Sequence, residues 1–297
     1  MMKKIKVCSL QISIISIDND DRNERIVYAI IVCKCSKEEM LMRNIEEIRN
    51  EINACDEEIA KLLNKRMGYV EEIISVKKEQ SLPIFQPKQE QKQKELLQKI
   101  YEGSEYEEEN EEVFKTITTM SKKVQAKKLL PYNIALIGFM GAGKSTVSAY
   151  LHELLALDLI ETDKLIVEQQ GMSINDIFAK YGEPYFRNLE SNVCIQMMDH
   201  KLTVISCGGG LVMRDENVEN LKKSSRIVLL TASPETIYER VKDSTDRPLL
   251  NGHMDVEYIA GLMEKRRPKY EAAADFIINT DGKSVREICE ELIRVIH

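Results

Sequence analysis

Two groups of residues in this chain have types and spacing suited to chemistry. The first is the run GFMGAGKST, Gly138 to Thr146, which fits the pattern G-x-x-x-x-G-K-[ST] between an apolar strand-like segment and a helical one. Gly138, Gly141 and Gly143, with Ala142 between the last two, permit a tight loop whose amide N–H groups face phosphate oxygens at a helix N-terminus. In such a loop Lys144 reaches the β- and γ-phosphates and Ser145 ligates magnesium, so the run predicts a nucleoside triphosphate with Mg2+. The second group is a pair of cations, Arg66 and Lys77, on the apolar stripe of a long amphipathic segment. They are three helical turns apart, about 16 Å, so both long side chains can reach one anion held between them. A lone lysine there would be expected to snorkel from the edge of the stripe; two aligned cations predict an anion site. Arg49 lies roughly 25 Å before Arg66 along the same helix, too far for the same small molecule, and is expected to serve a site on another chain.

The elements that must carry these residues follow from periodicity. Residues 41–80 place Ile45, Ile48, Ile52, Ile59, Leu63 and Val70 at three- and four-residue steps, which predicts one helix. Pro87 opens a second helix that ends near Gly103, and a third runs from the acidic EYEEENEE to the basic SKKVQAKK, as the helix dipole favours. Three such helices cannot bury all their apolar stripes on one another, which implies a partner chain. A short linker, 129–133, leads to a second domain in which apolar strands alternate with helices, the signature of a parallel sheet covered on both faces. The fold expected is therefore multidomain: an all-α domain over 40–128 and an α/β domain with a phosphate loop over 134–297. Residues 1–39 read as an extension, with two short strands about a DNDDRN turn. One expectation is that translation starts at Met40 or Met42, which the intact mass of the native protein tests.

Composition narrows the partners. With 297 residues, 43% hydrophobic and 31% charged, the chain reads as a helix-rich globular protein of two domains. Its formal charge of -7 argues against nucleic acid as a partner. There is no apolar run of the ~18 residues a membrane span needs, and the basic N-terminus lacks a signal-peptide cleavage pattern, so a cytoplasmic location is expected. Seven cysteines, none in C-x2-C spacing, read as reduced thiols rather than a zinc site.

Polar residues also fall where an α/β fold places ligands, after strands: Glu161 and Asp163 after LDLI, and Gly208, Gly209 and Gly210 after TVISC. With the phosphate loop, the segments ETDKLIVEQQGMSINDIF, GEPYFRNLE, SCGGGLV, RPLL and KRRPKY follow in order, and across 134–297 the chain resembles the shikimate kinases. The resemblance implies that Arg187 and Arg266 clamp the shikimate carboxylate, with Gly208, Gly209 and Gly210 completing that pocket. It implies that Asp163 orients or deprotonates the attacking hydroxyl, that Arg247 closes over the transferring phosphoryl group, and that Arg240 touches ATP. Ser145 and Glu161 would hold Mg2+, Glu161 standing where the family usually has aspartate. Arg187 can also pair with Glu190, three residues on, and both roles are expected together.

Residues 41–128 resemble the all-helical chorismate mutases, through IRNEINACDEEIAKLLNKR, VKK, PIFQPKQE and SKKVQ. That resemblance implies an intertwined dimer in which Arg66 and the partner chain's equivalent of Arg49 bind the carboxylates of chorismate. Lys77 and Gln125 would contact the ether oxygen and Glu90 the ring hydroxyl, with Ser121 on the same face as Gln125. The rearrangement to prephenate needs no metal or cofactor, only a held conformer and stabilised charge. Gln89 replaces a usual arginine and Gln86 a common acid, which implies weaker chorismate binding. Three readings of the helical domain follow: a mutase, a chorismate or prephenate sensor, and a dimerisation bundle.

Overall fold

The computed structural model describes residues 44–80, 82, 86–242 and 255–296. The expected N-terminal hairpin, the alternative starts and Arg247 lie outside the described residues. Helix α1, Ile45–Gln80, opens with Asn44 accepting from the Glu46 amide at 3.1 Å; it carries Glu46 and Glu47 in its first turn and Lys77 and Lys78 in its last. Helix α2, Pro87–Tyr101, begins on its proline, and α3 spans Glu107–Leu129 with three glutamates at its start and Lys127 and Lys128 at its end. The chain divides into two compact units, Met1–Asn64 and Lys65–His297. In the described part of the first unit the apolar residues of α1 are largely uncovered: Ile45 is 63% exposed, Ile52 and Ile59 53%, and Leu62 65%.

The second unit contains a five-stranded parallel sheet in the order β2-β3-β1-β4-β5. Its strands are β1 Asn133–Ile137, β2 Asp158–Glu161, β3 Thr203–Ser206, β4 Ser225–Thr231 and β5 Phe276–Asn279. Strands β1 and β3 are wholly buried, as apolar strands of a covered parallel sheet must be. The crossovers are α4 (Lys144–Leu155), α5 (Thr162–Gln170) with α6 (Ile174–Met197), α7 (Asp215–Ser224), and α8 (Pro234–Val241) with α9 (Val256–Ala273). Helix α10, Val285–Ile296, follows β5, and its apolar face joins the core through Ile288, Leu292 and Ile293. Neighbours β1 and β3 send their connections to opposite sides, β1 toward β2 and β3 toward β4, so their carboxyl ends form the switch point where such folds bind ligands. The phosphate loop follows β1 and the three glycines follow β3.

The segment expected as a linker is packed. Leu130 is fully buried, Asn133 donates to the His200 carbonyl at 2.8 Å, and the Tyr132 hydroxyl donates to the Ile296 carbonyl. No described helix is long and apolar enough to cross a membrane.

Candidate active sites

A cavity of about 480 Å³ opens over the switch point. Gly141, Ala142, Gly143, Lys144, Ser145 and Thr146 line one side of it, and Glu161, Asp163, Gly209 and Arg240 complete much of the rest. The glycines are needed by the backbone. Gly138, Gly141 and Gly143 have φ of 143°, 81° and 94°, and a Cβ on Gly138 would sit 2.3 Å from the Leu230 carbonyl oxygen. Lys144 bends over the loop and donates to the carbonyls of Gly138 at 2.9 Å and Phe139 at 3.0 Å. Arg240 donates to the Gly141 carbonyl at 3.2 Å and to the Thr280 hydroxyl at 3.1 Å, bracing the loop against the end of β5.

The three glycines after β3 admit the site's own side chains. A Cβ on Gly208 would lie 2.2 Å from Asp163 Oδ1, and one on Gly210 would lie 1.8 Å from Arg187 Nη1. Gly208 donates its N–H to the Thr162 hydroxyl at 2.8 Å, and Gly209 accepts from the Tyr270 hydroxyl. Arg187 is held from both sides, donating to Glu190 at 2.6 Å and to Glu183 at 2.7 Å. Burial works against its charge, but these two carboxylates outweigh burial and raise its pKa. The expected Arg187–Glu190 pair is therefore present. Glu190 is 1% exposed, and its Oε1 has no hydrogen-bond partner among the described residues. Burial pushes its carboxyl up to about 7, Asp163 adding to the shift and Arg187 opposing it. Arg266 is half-buried on α9 and hydrogen-bonds Tyr270, whose own hydroxyl burial pushes upward.

Tyr270 was not singled out by sequence reasoning, although KRRPKY contains it, and Glu190 was expected only as an ion-pair partner of Arg187, not as a buried carboxyl. The helix bearing Arg187 and Glu190 is also broken: Gly182 takes φ 79° and ψ 171°, two residues before Pro184, and this break resets the turn from which Arg187 projects. Glu161 pairs with Lys164 and faces the cavity with Ser145. Two protein oxygens suit Mg2+, which takes few protein ligands and completes its shell with phosphate and water. The described cysteines are free, and burial lifts Cys194 and Cys289 to about 12 and Cys207 higher still, so none of these three buried thiols is a thiolate nucleophile.

A second cavity, about 160 Å³, lies among α1, α2 and α3. Arg66, Lys77, Gln86, Gln89 and Glu90 line it, as do Ser121 and Gln125. Arg49, in the other compact unit, is solvent-exposed. Arg66 donates to the Ser121 hydroxyl, and Lys77 donates to Gln125 Oε1 at 2.9 Å. Lys77 does not snorkel: it is 6% exposed, and burial lowers its pKa against the opposing charge of Glu90. An ammonium only donates, so the Gln125 oxygen faces Lys77 and its NH2 group remains a second donor. Glu90 pairs with Lys122 at 2.8 Å. Leu154 and Leu155, from the end of α4, also line this cavity.

Residues 140–297 match the shikimate kinase family model, and residues 48–126 match that of chorismate mutase type II. The shikimate kinase of Thermodesulfovibrio yellowstonii is 43% identical over 162 residues, 54% of this chain and 93% of that protein. That of Dehalococcoides mccartyi is 44% identical over 160 residues, 54% and 90% of the two chains. Among solved structures, shikimate kinase from Acinetobacter baumannii in complex with shikimate gives a TM-score of 0.55 at 33% identity, covering 58% of this chain and 96% of that one. The Bacteroides thetaiotaomicron enzyme gives 0.51 at 29%, covering 56% and 98%.

Proposed function

The chain belongs to the shikimate kinase family and carries a chorismate mutase type II domain ahead of its kinase domain, and from this premise we propose that it performs both reactions in aromatic amino-acid biosynthesis. The kinase domain, 134–297, transfers the γ-phosphoryl group of ATP to a hydroxyl of shikimate, giving shikimate 3-phosphate. The observation carrying this reading is that the phosphate loop and Asp163 face one cavity at the switch point of the sheet. Lys144 exchanges its hydrogen bonds to the Gly138 and Phe139 carbonyls for phosphate oxygens. Arg187, already fixed by Glu183 and Glu190, and Arg266 take the shikimate carboxylate, so the acceptor is oriented before it reacts. Asp163 accepts the proton of the attacking hydroxyl and, with Gly208, Gly209 and Gly210, sets its direction. Ser145 and Glu161 would hold Mg2+, which would supply charge neutralisation on the phosphates. Arg240 contacts the nucleotide, and Arg247 acts as the closing arginine. Varying shikimate and ATP separately in a kinase assay, with Asp163→Asn as control, tests this; full activity in that variant would contradict it.

The helical domain, 40–128, rearranges chorismate to prephenate. The observation carrying this second activity is the convergence of Arg66, Lys77, Glu90 and Gln125 on one cavity. Arg66, set by Ser121, binds a carboxylate; Lys77 and the NH2 group of Gln125 stabilise charge developing at the ether oxygen; Glu90 takes the ring hydroxyl. Gln86 and Gln89 are neutral contacts at the rim. The exposed apolar face of α1 mates with a second copy, which supplies Arg49, so the enzyme is a homodimer acting on small molecules in the cytoplasm. Light scattering on the purified protein tests the dimer, and a monomer at micromolar concentration would contradict it.

A further inference from the structure

The cavity holding Arg66, Lys77 and Gln125 is not built from the helical domain alone. Leu154 and Leu155 line it as well, and they fall inside the stretch that matches shikimate kinase. Both sit in the last turn of α4, the helix whose first residues are Lys144 and Ser145 of the phosphate loop. Twelve residues, about 18 Å of helix, thus separate the two cavities.

The placement of these leucines is fixed. Leu154 is 8% and Leu155 2% exposed, and both belong to one continuous buried core that also contains Val70 and Ile74 of α1 and Ala126 and Leu129 of α3. Just past the helix, Asp158 pairs with Lys123 of α3 at 3.6 Å, and His152 Nδ1 lies 2.5 Å from the Leu157 carbonyl oxygen. All these residues belong to the compact unit Lys65–His297.

Apart from Val70 and Ile73 of α1, everything else the cavity offers a ligand is polar: three cations, four amides, two hydroxyls and a carboxylate. A compact ring substrate with two carboxylates also presents hydrocarbon, which gains nothing from such groups and needs an apolar surface that keeps water out. We propose that Leu154 and Leu155 of the kinase domain complete that apolar wall beside Val70 and Ile73, as positioning residues for the mutase reaction, so that the mutase site is completed by the kinase. The inference rests on the reading of this cavity as the chorismate site. It gives the fusion a physical role that needs no transfer of substrate between sites.

The test uses the full-length protein with Leu154→Ala and Leu154→Met. Removing the wall should raise the chorismate KM about tenfold or more, the scale of lost hydrocarbon contact in an apolar pocket. Methionine should restore most of it. Kinase kcat/KM for shikimate should stay within about twofold in both variants, since neither leucine lines the nucleotide cavity. A second readout separates positioning from mere packing. Lys77 shares the cavity with Arg66, Glu90, Lys122 and these leucines, with Glu153 in the adjoining cavity. Admitting water should therefore move the alkaline limb of the mutase pH profile upward in Leu154→Ala, toward that of an ordinary lysine. Unchanged KM and pH profile in Leu154→Ala, while Arg66→Ala abolishes activity, would overturn the inference alone. Absence of both turnover and calorimetric chorismate binding in the parent protein would overturn the reading of the cavity, and this inference with it.

Discussion

Gly210 offers a sharp test of the acceptor site because its backbone and its surroundings disagree about alanine. Its φ of -100° and ψ of -10° are ordinary for any residue, so the chain itself does not resist the change. The added Cβ, however, would stand 1.8 Å from Arg187 Nη1, 2.4 Å from its Cζ and 2.8 Å from Nη2, where contacts under 3.0 Å essentially do not occur. The guanidinium must move by more than an ångström, and the 2.6 Å bond to Glu190 must lengthen or break. Folding should survive, because what moves is the far end of a flexible side chain, but the carboxylate clamp is misplaced. Losing one charge-assisted hydrogen bond costs about 1.5–3 kcal/mol, or roughly 10- to 150-fold in kcat/KM for shikimate. A coupled ADP-release assay should show that loss in Gly210→Ala with the KM for ATP unchanged. Gly261→Ala is the matched control: the residue lies within α9, nothing stands within 4 Å of its Cβ position, and it should leave kinetics alone while stabilising the helix by about 0.5–1 kcal/mol. Wild-type shikimate kinetics in a folded Gly210→Ala protein would refute the role given to Arg187.

The buried Glu190 makes stability depend on pH. Its folded value, about 7, lies above the ordinary 4.5, so the native state binds the proton more tightly; the contribution is full below about pH 4.5 and is lost as pH rises through 7. Relative to Glu190→Gln, the parent protein should lose on the order of 3 kcal/mol between pH 4.5 and 8 in denaturant titrations, and a constant difference would contradict this. Gln89→Arg should lower the chorismate KM by about fivefold or more through a charge-assisted hydrogen bond, and an unchanged KM counts against a carboxylate near that position. Gly138→Ala should damage folding rather than catalysis alone, since the clash there is with the backbone carbonyl of Leu230 at a φ of 143°; a normal melting temperature would argue against that geometry.

What the sequence conveyed depended on how local the determinant was. The phosphate loop is legible because its spacing fixes a backbone path over a few residues, and the strands around it because buried parallel strands are apolar throughout. Glycines 208–210 are legible as a place of close approach, yet what approaches Gly208 and Gly210 is the protein's own Asp163 and Arg187. Arg66 and Lys77 could be aligned by helical arithmetic, whereas the burial of Lys77 against Gln125 depends on α3, 48 residues away in sequence. Tyr270 escaped notice, and Glu190 was legible only as a partner of Arg187 three residues away, because their further character comes from burial, which no local pattern records. The kink at Gly182 had a signal in its G-E-P run, a glycine two residues before a proline. Leu154 and Leu155 had none, since on a helix leading away from a phosphate loop they read only as core.

The central claim is that both domains are catalytic, and the helical one carries the greater burden because Gln86 and Gln89 depart from its family's pattern. The direct measurement is chorismate loss with prephenate appearance, using purified full-length protein and Arg66→Ala in parallel. The account predicts turnover in the parent protein and its disappearance in a variant that remains folded and phosphorylates shikimate normally. A folded, kinase-active parent that leaves chorismate unchanged would contradict it and make the helical domain a sensor or scaffold.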